Sequence, residues 1–151
     1  MAKLELKHIS PYLPYNLRVK HISNGEIKVV NGIQEQFSDG TFILYWPEKY
    51  GTINASAYYQ PILKPLSSLT PEDAIEVVKM ALPGEKFKDV FLKDGKIFFQ
   101  LKLKYSYVMR SVDISKLSLR VGQYLQSKCY DLPQECLDGK TLNEAGLAIY
   151  E

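Results

Sequence analysis

The tripeptide Gly139-Lys140-Thr141 has the residue types with which a phosphate-binding loop ends. Such a loop also has a glycine five residues before the last glycine, and it joins a strand to a long helix so that backbone N–H groups surround the phosphates. Gln134 occupies that earlier position, and the stretch around it, DLPQEC, is not strand-like. The sequence therefore favours a turn at Asp138-Gly139, followed by a helix cap in which Thr141 and Glu144 are partners.

Histidines and cysteines are the other residues that commonly bind metals or attack substrates. The chain has two of each, His8, His21, Cys129 and Cys136. A zinc site usually has three or four such ligands at short local spacing, which these residues do not provide. Cys129 lies at the edge of the apolar stripe of a predicted helix, where a cysteine behaves as a small apolar residue. The sequence predicts no metal and no cofactor, and a small enzyme that uses His8 or His21 stays as an alternative.

Lysines and one phenylalanine form the clearest candidate nucleic-acid-binding surface. Lys96, Phe98, Lys102 and Lys104 share one parity along a predicted strand. Lysines on a sheet with an aromatic ring between them can follow a phosphate backbone while the ring stacks on a base. The basic residues expected nearby are Lys86, Lys88, Lys93 and Arg110. Lysines also keep a sheet face soluble, and because the formal net charge is only +2 this second interpretation is favoured.

Tyrosines and one tryptophan that flank prolines form a candidate protein-binding surface. The chain has eleven tyrosines, and this amphipathic side chain recurs at recognition surfaces. The residues of this surface are Tyr12, Tyr15, Trp46, Tyr50, Tyr58 and Tyr59. The same side chains would equally pack irregular segments onto a sheet, and the sequence leaves both interpretations open.

Three predicted hairpins position these residues. Asn-Gly and Asp-Gly pairs adopt the positive φ angles of tight turns, and they occur in SNGE (residues 23–26), SDGT (38–41) and KDGK (93–96). Over residues 96–107 apolar and polar residues alternate, which predicts one long strand with a buried face and a wet face. Phe98 is the exception on the wet face, and we expect it to touch a helix or a partner.

Two helices and one extended segment complete the predicted elements. In the first helix Thr70 is the N-cap, Pro71 takes the first position, and Pro83-Gly84 ends it. The second helix runs through residues 113–129, where apolar residues recur at helical spacing. The stretch YYQPILKPLSSL is predicted to be extended at a sheet edge, because proline cannot donate to a strand ladder.

The order strands, helix, strands, helix predicts an α+β fold. We expect a single domain, residues 1–151, in which a mostly antiparallel sheet built from hairpins has one face packed by two helices. No apolar run is long enough to cross a bilayer, and the first residues, MAKLELKHIS, are alternating and charged, unlike a signal peptide. We therefore expect a cytoplasmic protein without a membrane partner.

Three stretches together resemble short uncharacterised proteins of phages, prophages and mobile elements of gut bacteria. They are LKHISPYLPYNLRV, YYQPILKPLSSL and YDLPQECLDGKTLNEAGLAI, about a third of the chain. The shared features are the Pro-Tyr-Leu-Pro-Tyr opening and the Gly-Leu-Ala-Ile ending, whereas LPQECLDGKTLNEAG differs from a more hydrophobic stretch in that group. The resemblance implies no activity, and it implies a bacterial or phage accessory protein.

No complete set of catalytic residues is evident in the sequence, so a non-catalytic function is favoured over an enzyme. We expect an interaction module that binds another protein through its tyrosine- and proline-rich segments. A nucleic-acid-binding protein that uses the basic strand face is the alternative from a different class.

Overall fold

The computed structural model describes residues 3–46, 54–116 and 118–151. Within these residues the chain forms helices and mostly antiparallel sheets, which confirms the α+β class. Contacts divide it into two compact units, the first comprising Met1–Lys64 and Gln126–Glu151 and the second Pro65–Leu125. The single domain expected from the sequence stays a prediction. None of the described helices is long and apolar enough to cross a membrane.

The elements follow one another in the order that the turn signals suggest. The helices are α1 (Leu6–Ile9), α2 (Pro71–Ala81) and α3 (Leu119–Ser127). The strands are β1 (Arg18–His21), β2 (Ile27–Val29), β3 (Gly32–Gln36), β4 (Phe42–Tyr45), β5 (Tyr59–Leu63), β6 (Phe87–Lys93), β7 (Lys96–Lys102), β8 (Tyr107–Asp113) and β9 (Ile149–Tyr150). All three predicted hairpins are confirmed, as β1–β2, β3–β4 and β6–β7.

The strands lie in three sheets where the sequence suggested one. The first unit holds a four-stranded sheet in the order β2-β1-β5-β9 and the two-stranded sheet β3-β4, and the second unit holds β6-β7-β8. The segment YYQPILKPLSSL contains β5, which lies between β1 and β9 and is not the predicted edge. Proline has no backbone N–H and cannot donate a hydrogen bond to a neighbouring strand. Pro61 is tolerated because it pairs only with Val19 on β1, and the pairing of β5 with β9 begins at Ile62.

The first unit packs around large apolar side chains from both ends of the chain. The most deeply buried of these are Ile9, Tyr12, Leu17, Phe42, Leu44, Leu63 and Leu142. The hydroxyl of Tyr12 donates to the backbone oxygen of Tyr130 at 2.8 Å. The buried carboxylate of Asp131 accepts hydrogen bonds from the backbone N–H groups of Leu142 and Asn143, both at 2.9 Å. These bonds satisfy polar groups that would otherwise be costly to bury.

In the second unit α2 contacts β6. The helix begins as predicted, with the hydroxyl of Thr70 accepting a hydrogen bond from the backbone N–H of Asp73 at 3.2 Å. Ala74, Val77 and Val78 are its buried residues. The predicted second helix is shorter than expected, because residues 114–116 form a 3₁₀ turn before α3 begins at Leu119.

The long strand predicted over residues 96–107 is wrong in its second half. Strand β7 ends at Lys102, and the chain then turns back so that the N–H of Leu103 donates to the oxygen of Ser106 at 2.7 Å. The following residues form β8, the third strand of this sheet. The alternation continues through the turn, which contains neither Asn-Gly nor Asp-Gly, so no sequence signal marked it.

Candidate functional site

One face of the three-stranded sheet in the second unit carries solvent-accessible aromatic and basic side chains, and we call it the open face. The register places on it Lys88, Phe91 and Lys93 from β6, Lys96, Phe98, Gln100 and Lys102 from β7, and Tyr107, Met109, Ser111 and Asp113 from β8. All of these residues are exposed except Phe98, Gln100 and Asp113, which are half-buried. The opposite face holds Ile97 and Phe99, which are buried.

A stacked pair of phenylalanines occupies the middle of the open face. Phe91 lies directly opposite Phe98, with ring centroids 5.4 Å apart and ring planes 14° from parallel. Phe91 is 44% exposed although it is a large apolar residue. The sequence left open whether Phe98 meets a helix or a partner, and in the structure its ring neighbour is Phe91 on the adjacent strand.

A β-bulge in β6 places both Lys88 and Phe91 on the open face. These residues are three positions apart, so a regular strand would direct them to opposite faces. The register shifts between them, and Asp89 within the bulge has a φ of +56°. The extra residue restores Phe91 to the face that carries Lys88. Side chains alternate between the two faces only in a regular strand. Sequence reasoning therefore did not place Phe91 on the same face as Lys88.

Lysines lie on both sides of the phenylalanine pair. Lys93 faces Lys96 at one end of the open face, and Lys102 faces Tyr107 at the other. The six residue-to-residue steps from Lys96 to Lys102 span about 20 Å at the rise of an extended strand. Lys88 lies with its Nζ 4.1 Å from the centroid of the Tyr107 ring, a cation–π contact. The open face thus has two basic ends and an aromatic centre.

Of the basic residues expected on this surface, Lys104 and Arg110 lie elsewhere, and Lys86 directly precedes β6. Lys104 is in the turn between β7 and β8, where its Nζ lies 5.3 Å from the ring centroid of Tyr105, a residue that is 89% exposed. Arg110 faces Phe99 across the strands and therefore belongs to the opposite face. Of the predicted nucleic-acid-binding residues, the structure brings together Lys96, Phe98 and Lys102 on one face, and it places Lys104 beyond the end of β7.

Positive charge is concentrated in this sheet. Residues 86–113 contain seven Lys or Arg and three Asp, a net charge of +4, whereas the whole chain has +2. The remainder of the chain therefore carries a net charge of −2. On the open face the single acidic side chain is Asp113, which faces Lys96 at the sheet edge. The near balance of the whole chain hides a local basic excess.

The tyrosine- and tryptophan-rich surface predicted in the first unit is not continuous. Tyr12 is fully buried and Trp46 is 7% exposed, so neither reaches a partner. Both residues belong to the core, and Trp46 packs edge-on against Tyr59 with ring centroids 5.3 Å apart. Tyr15 and Tyr58 are exposed. The remaining predicted residue, Tyr50, lies outside the described residues.

The two histidines have structural contacts. His8 is 2% exposed, its Nδ1 accepts a hydrogen bond from the N–H of Glu5 at 2.9 Å, and burial lowers its pKa. His21 accepts at Nδ1 from the backbone N–H groups of Ser23 and Asn24, at 3.2 and 3.3 Å. These bonds hold the turn between β1 and β2. Among the described residues no three His, Cys, Asp or Glu side chains are grouped as metal ligands.

The Gly139-Lys140-Thr141 stretch forms a turn, as expected. Asp138 and Gly139 both have positive φ angles. The predicted capping pair is present, because the N–H of Thr141 donates to the Glu144 carboxylate and the N–H of Glu144 donates to the Thr141 hydroxyl, both at 3.2 Å. The residues that follow form turns and not the expected short helix.

Comparisons of this chain with protein-family models, curated protein sequences and solved structures find no match. Its function is therefore inferred from the geometry of the described residues.

Proposed function

We propose that this chain is a non-catalytic binding protein whose open face holds single-stranded nucleic acid. The observation that carries the proposal is the Phe91–Phe98 stack, set on an accessible sheet face between two groups of lysines. The rings offer stacking surfaces for bases, and the lysines are positioned to pair with phosphates.

The exposed aromatic and apolar residues distinguish this face from one whose lysines serve only to keep the protein soluble. Solubility requires charged side chains, and it gains nothing from exposing Phe91, Tyr107 and Met109, which are 44%, 43% and 50% exposed. Clustered apolar side chains on a surface commonly mark a binding site. The lysine groups and the aromatic centre together favour a ligand that is both anionic and flat.

Charge favours nucleic acid over the protein partner expected from the sequence. Lysine is depleted at protein–protein interfaces relative to the rest of the surface, whereas Arg, Tyr and Trp are enriched. The open face has four lysines and no arginine. An acidic protein is the competing occupant, and the experiment below includes it.

The shape of the face favours a single strand over a duplex. Bases in a duplex are already stacked on each other, so their faces cannot reach rings on a flat sheet. An unpaired strand can lay its bases on Phe91 and Phe98 while its phosphates approach Lys93 and Lys96 on one side and Lys88 and Lys102 on the other.

The test is fluorescence anisotropy of labelled 12-nucleotide DNA and RNA single strands across a series of salt concentrations. The affected variant is Lys96→Gln/Lys102→Gln, and the matched control is Lys116→Gln/Arg120→Gln, which removes two exposed charges from the same unit outside the open face. We expect the first double variant to weaken binding and to lower the slope of log K against log salt by about 1.4, because each phosphate contact contributes about 0.7 for single strands.

Three outcomes would overturn the proposal. The first is the absence of binding at low salt, and the second is an equal loss in the two double variants, which would show diffuse attraction to the whole unit. The third is equal or tighter binding of poly-glutamate at matched charge, which would identify an acidic protein as the partner. The cytoplasmic location and the phage or mobile-element setting stay predictions from the sequence.

A further inference from the structure

A second, smaller basic site lies in the first unit. It is a concave pocket of about 430 Å³ that is lined in part by Arg18 from β1, Ile62 from β5 and residues 127–129. Three basic side chains line it, Arg18, Lys64 and Lys128, together with one carboxylate, that of Glu151. The side chains that line the pocket therefore carry a net positive charge.

Backbone hydrogen bonds hold Lys64 in place. The N–H of Lys64 donates to the oxygen of Cys129, and the oxygen of Lys64 accepts from the N–H of Asp131, both at 2.9 Å. This parallel bridge fixes the Lys64 backbone beside Cys129. Arg18 faces Ile62 in the pairing of β1 with β5, and Lys64 directly follows the last residue of β5. Both side chains line the pocket.

The sulfur of Cys129 experiences the charges of both cations. Burial raises the pKa of the Cys129 thiol, while the charges of Lys64 and Arg18 act in the opposite direction. Arg18, Lys64 and Cys129 all line the same pocket.

The Arg18 guanidinium is already paired with the Glu151 carboxylate. Glu151 forms an ion pair with Nη2 of Arg18, and the two side chains are 46% and 40% exposed. The Glu151 backbone is placed by a hydrogen bond from its N–H to the oxygen of Leu63 at 3.2 Å. The Arg18 guanidinium therefore already binds one carboxylate in this pocket. Because both partners are partly exposed, an anion from solvent can reach the pair.

We propose that this pocket binds the phosphate group of a small phosphate monoester, which displaces the Glu151 carboxylate from Arg18. Lys64 and Lys128 neutralise the remaining charge, and the exposed ring of Tyr15 at the pocket wall contacts the organic part of the ligand. All of these residues belong to the first unit, so the proposal does not rest on the nucleic-acid-binding function of the open face.

The charge of the ligand follows from the competition with Glu151. A monocarboxylate brings the same charge as Glu151 and has no electrostatic advantage over a group that is already tethered beside Arg18. A phosphate monoester carries between one and two negative charges near pH 7 and offers three acceptor oxygens. It can accept two parallel hydrogen bonds from the arginine and leave an oxygen for the lysine ammonium groups.

The test is a titration of the ¹⁵N-labelled chain with phenyl phosphate, with benzoate as the matched monoanion and inorganic phosphate as the ligand without a ring. We expect amide shifts to cluster at residues 16–18, 64, 127–129 and 151, with phenyl phosphate binding more tightly than either comparison ligand. Arg18→Gln should weaken binding at least about tenfold, because it removes charge-assisted hydrogen bonds. Glu151→Gln should tighten binding severalfold, and Lys140→Gln, at an exposed residue of the same unit outside the pocket, should change nothing.

The proposal is overturned if phenyl phosphate causes no localised shifts up to about 10 mM, a range that covers weak millimolar affinities. It is also overturned if Lys140→Gln weakens binding as much as Lys64→Gln, or if Glu151→Gln weakens it. Glu151→Gln is expected to bind phenyl phosphate more tightly, and misfolding cannot produce tighter binding. The proposal therefore stays testable even if Arg18→Gln fails to fold. Loss of oligonucleotide binding in the open-face variants would leave these outcomes unchanged.

Discussion

The two units use aromatic side chains in opposite ways. In the first unit Tyr12 and Trp46 are enclosed in the core, and the Tyr12 hydroxyl has an internal partner. In the second unit Phe91 and Phe98 stack on a sheet face that solvent reaches. Aromatic content alone therefore does not identify a binding surface. The distinction depends on whether other segments of the chain cover the ring.

The largest expected effect separates the two groups by stability. Tyr12→Ala should lower the free energy of unfolding by about 3–5 kcal/mol, the usual cost of removing a buried aromatic ring. Phe91→Ala should cost less than about 1 kcal/mol, because much of its ring is in water already. Urea unfolding followed by circular dichroism measures both, and similar losses in the two variants would contradict the contrast.

A buried carboxylate extends the comparison to polar groups of the first unit. Asp131→Ala leaves the N–H groups of Leu142 and Asn143 without their acceptors, which should cost about 3 kcal/mol. Asp131→Asn retains one acceptor oxygen and should lose less. The same unfolding experiment ranks the two variants. Asparagine has nearly the volume of aspartate, so an equal loss would show that one retained acceptor oxygen does not stabilise the fold.

Phe91 should matter more for oligonucleotide binding than for stability. Phe91→Ala should weaken single-strand binding by about 1–3 kcal/mol, the usual contribution of stacking one base. Phe91→Tyr keeps a ring at the same position and should retain most of the affinity. Anisotropy titrations at one salt concentration measure this, and an alanine variant with native affinity would remove the aromatic centre from the site.

A helix cap tests whether weaker binding follows from lower stability alone. Thr70→Ala removes the acceptor for the Asp73 N–H and should destabilise the protein by about 1 kcal/mol, whereas Thr70→Ser should be nearly neutral. Thr70 is not on the open face, so oligonucleotide affinity should be unchanged in both variants. A drop in affinity that matched the drop in stability would weaken the interpretation of the Phe91 result.

The smallest expected effect is a pH dependence that originates in the first unit. Burial lowers the pKa of His8 below its ordinary value of 6.5, so the unfolded chain takes up this proton more readily than the folded chain. Stability should therefore fall as the pH falls from about 6.5 through the folded pKa. His8→Asn should lose less stability than the native chain between pH 7.5 and 5, and equal losses would assign the effect to other groups.

Much of the fold was predictable because it follows local rules. The three hairpins follow Asn-Gly and Asp-Gly pairs, and α2 follows the Thr70-Pro71 start. The turn at residues 103–106 has no such signal, and the central position of β5 depends on long-range pairing with β9. Pairing between distant segments cannot be predicted from the local sequence of either segment.

The site was predictable only in part for the same reason. Lys96, Phe98 and Lys102 share one strand, so the alternation of residues was enough to group them. Phe91 and Tyr107 come from neighbouring strands, and their positions depend on the bulge and on the turn after β7. The predicted first-unit aromatics Tyr12 and Trp46 failed as a surface because covering segments cannot be identified from residue type.

The single extra residue of β6 has a consequence for how this protein tolerates change in length. Deleting Asp89 would remove the bulge and leave Lys88 two positions before Phe91, so a regular strand would keep both side chains on the open face. Deleting Leu92, in the regular part of the strand, would instead make Phe91 and Lys93 adjacent residues, which point to opposite faces of a sheet. Loss of one residue should therefore be tolerated at Asp89 and should be far more damaging at Leu92.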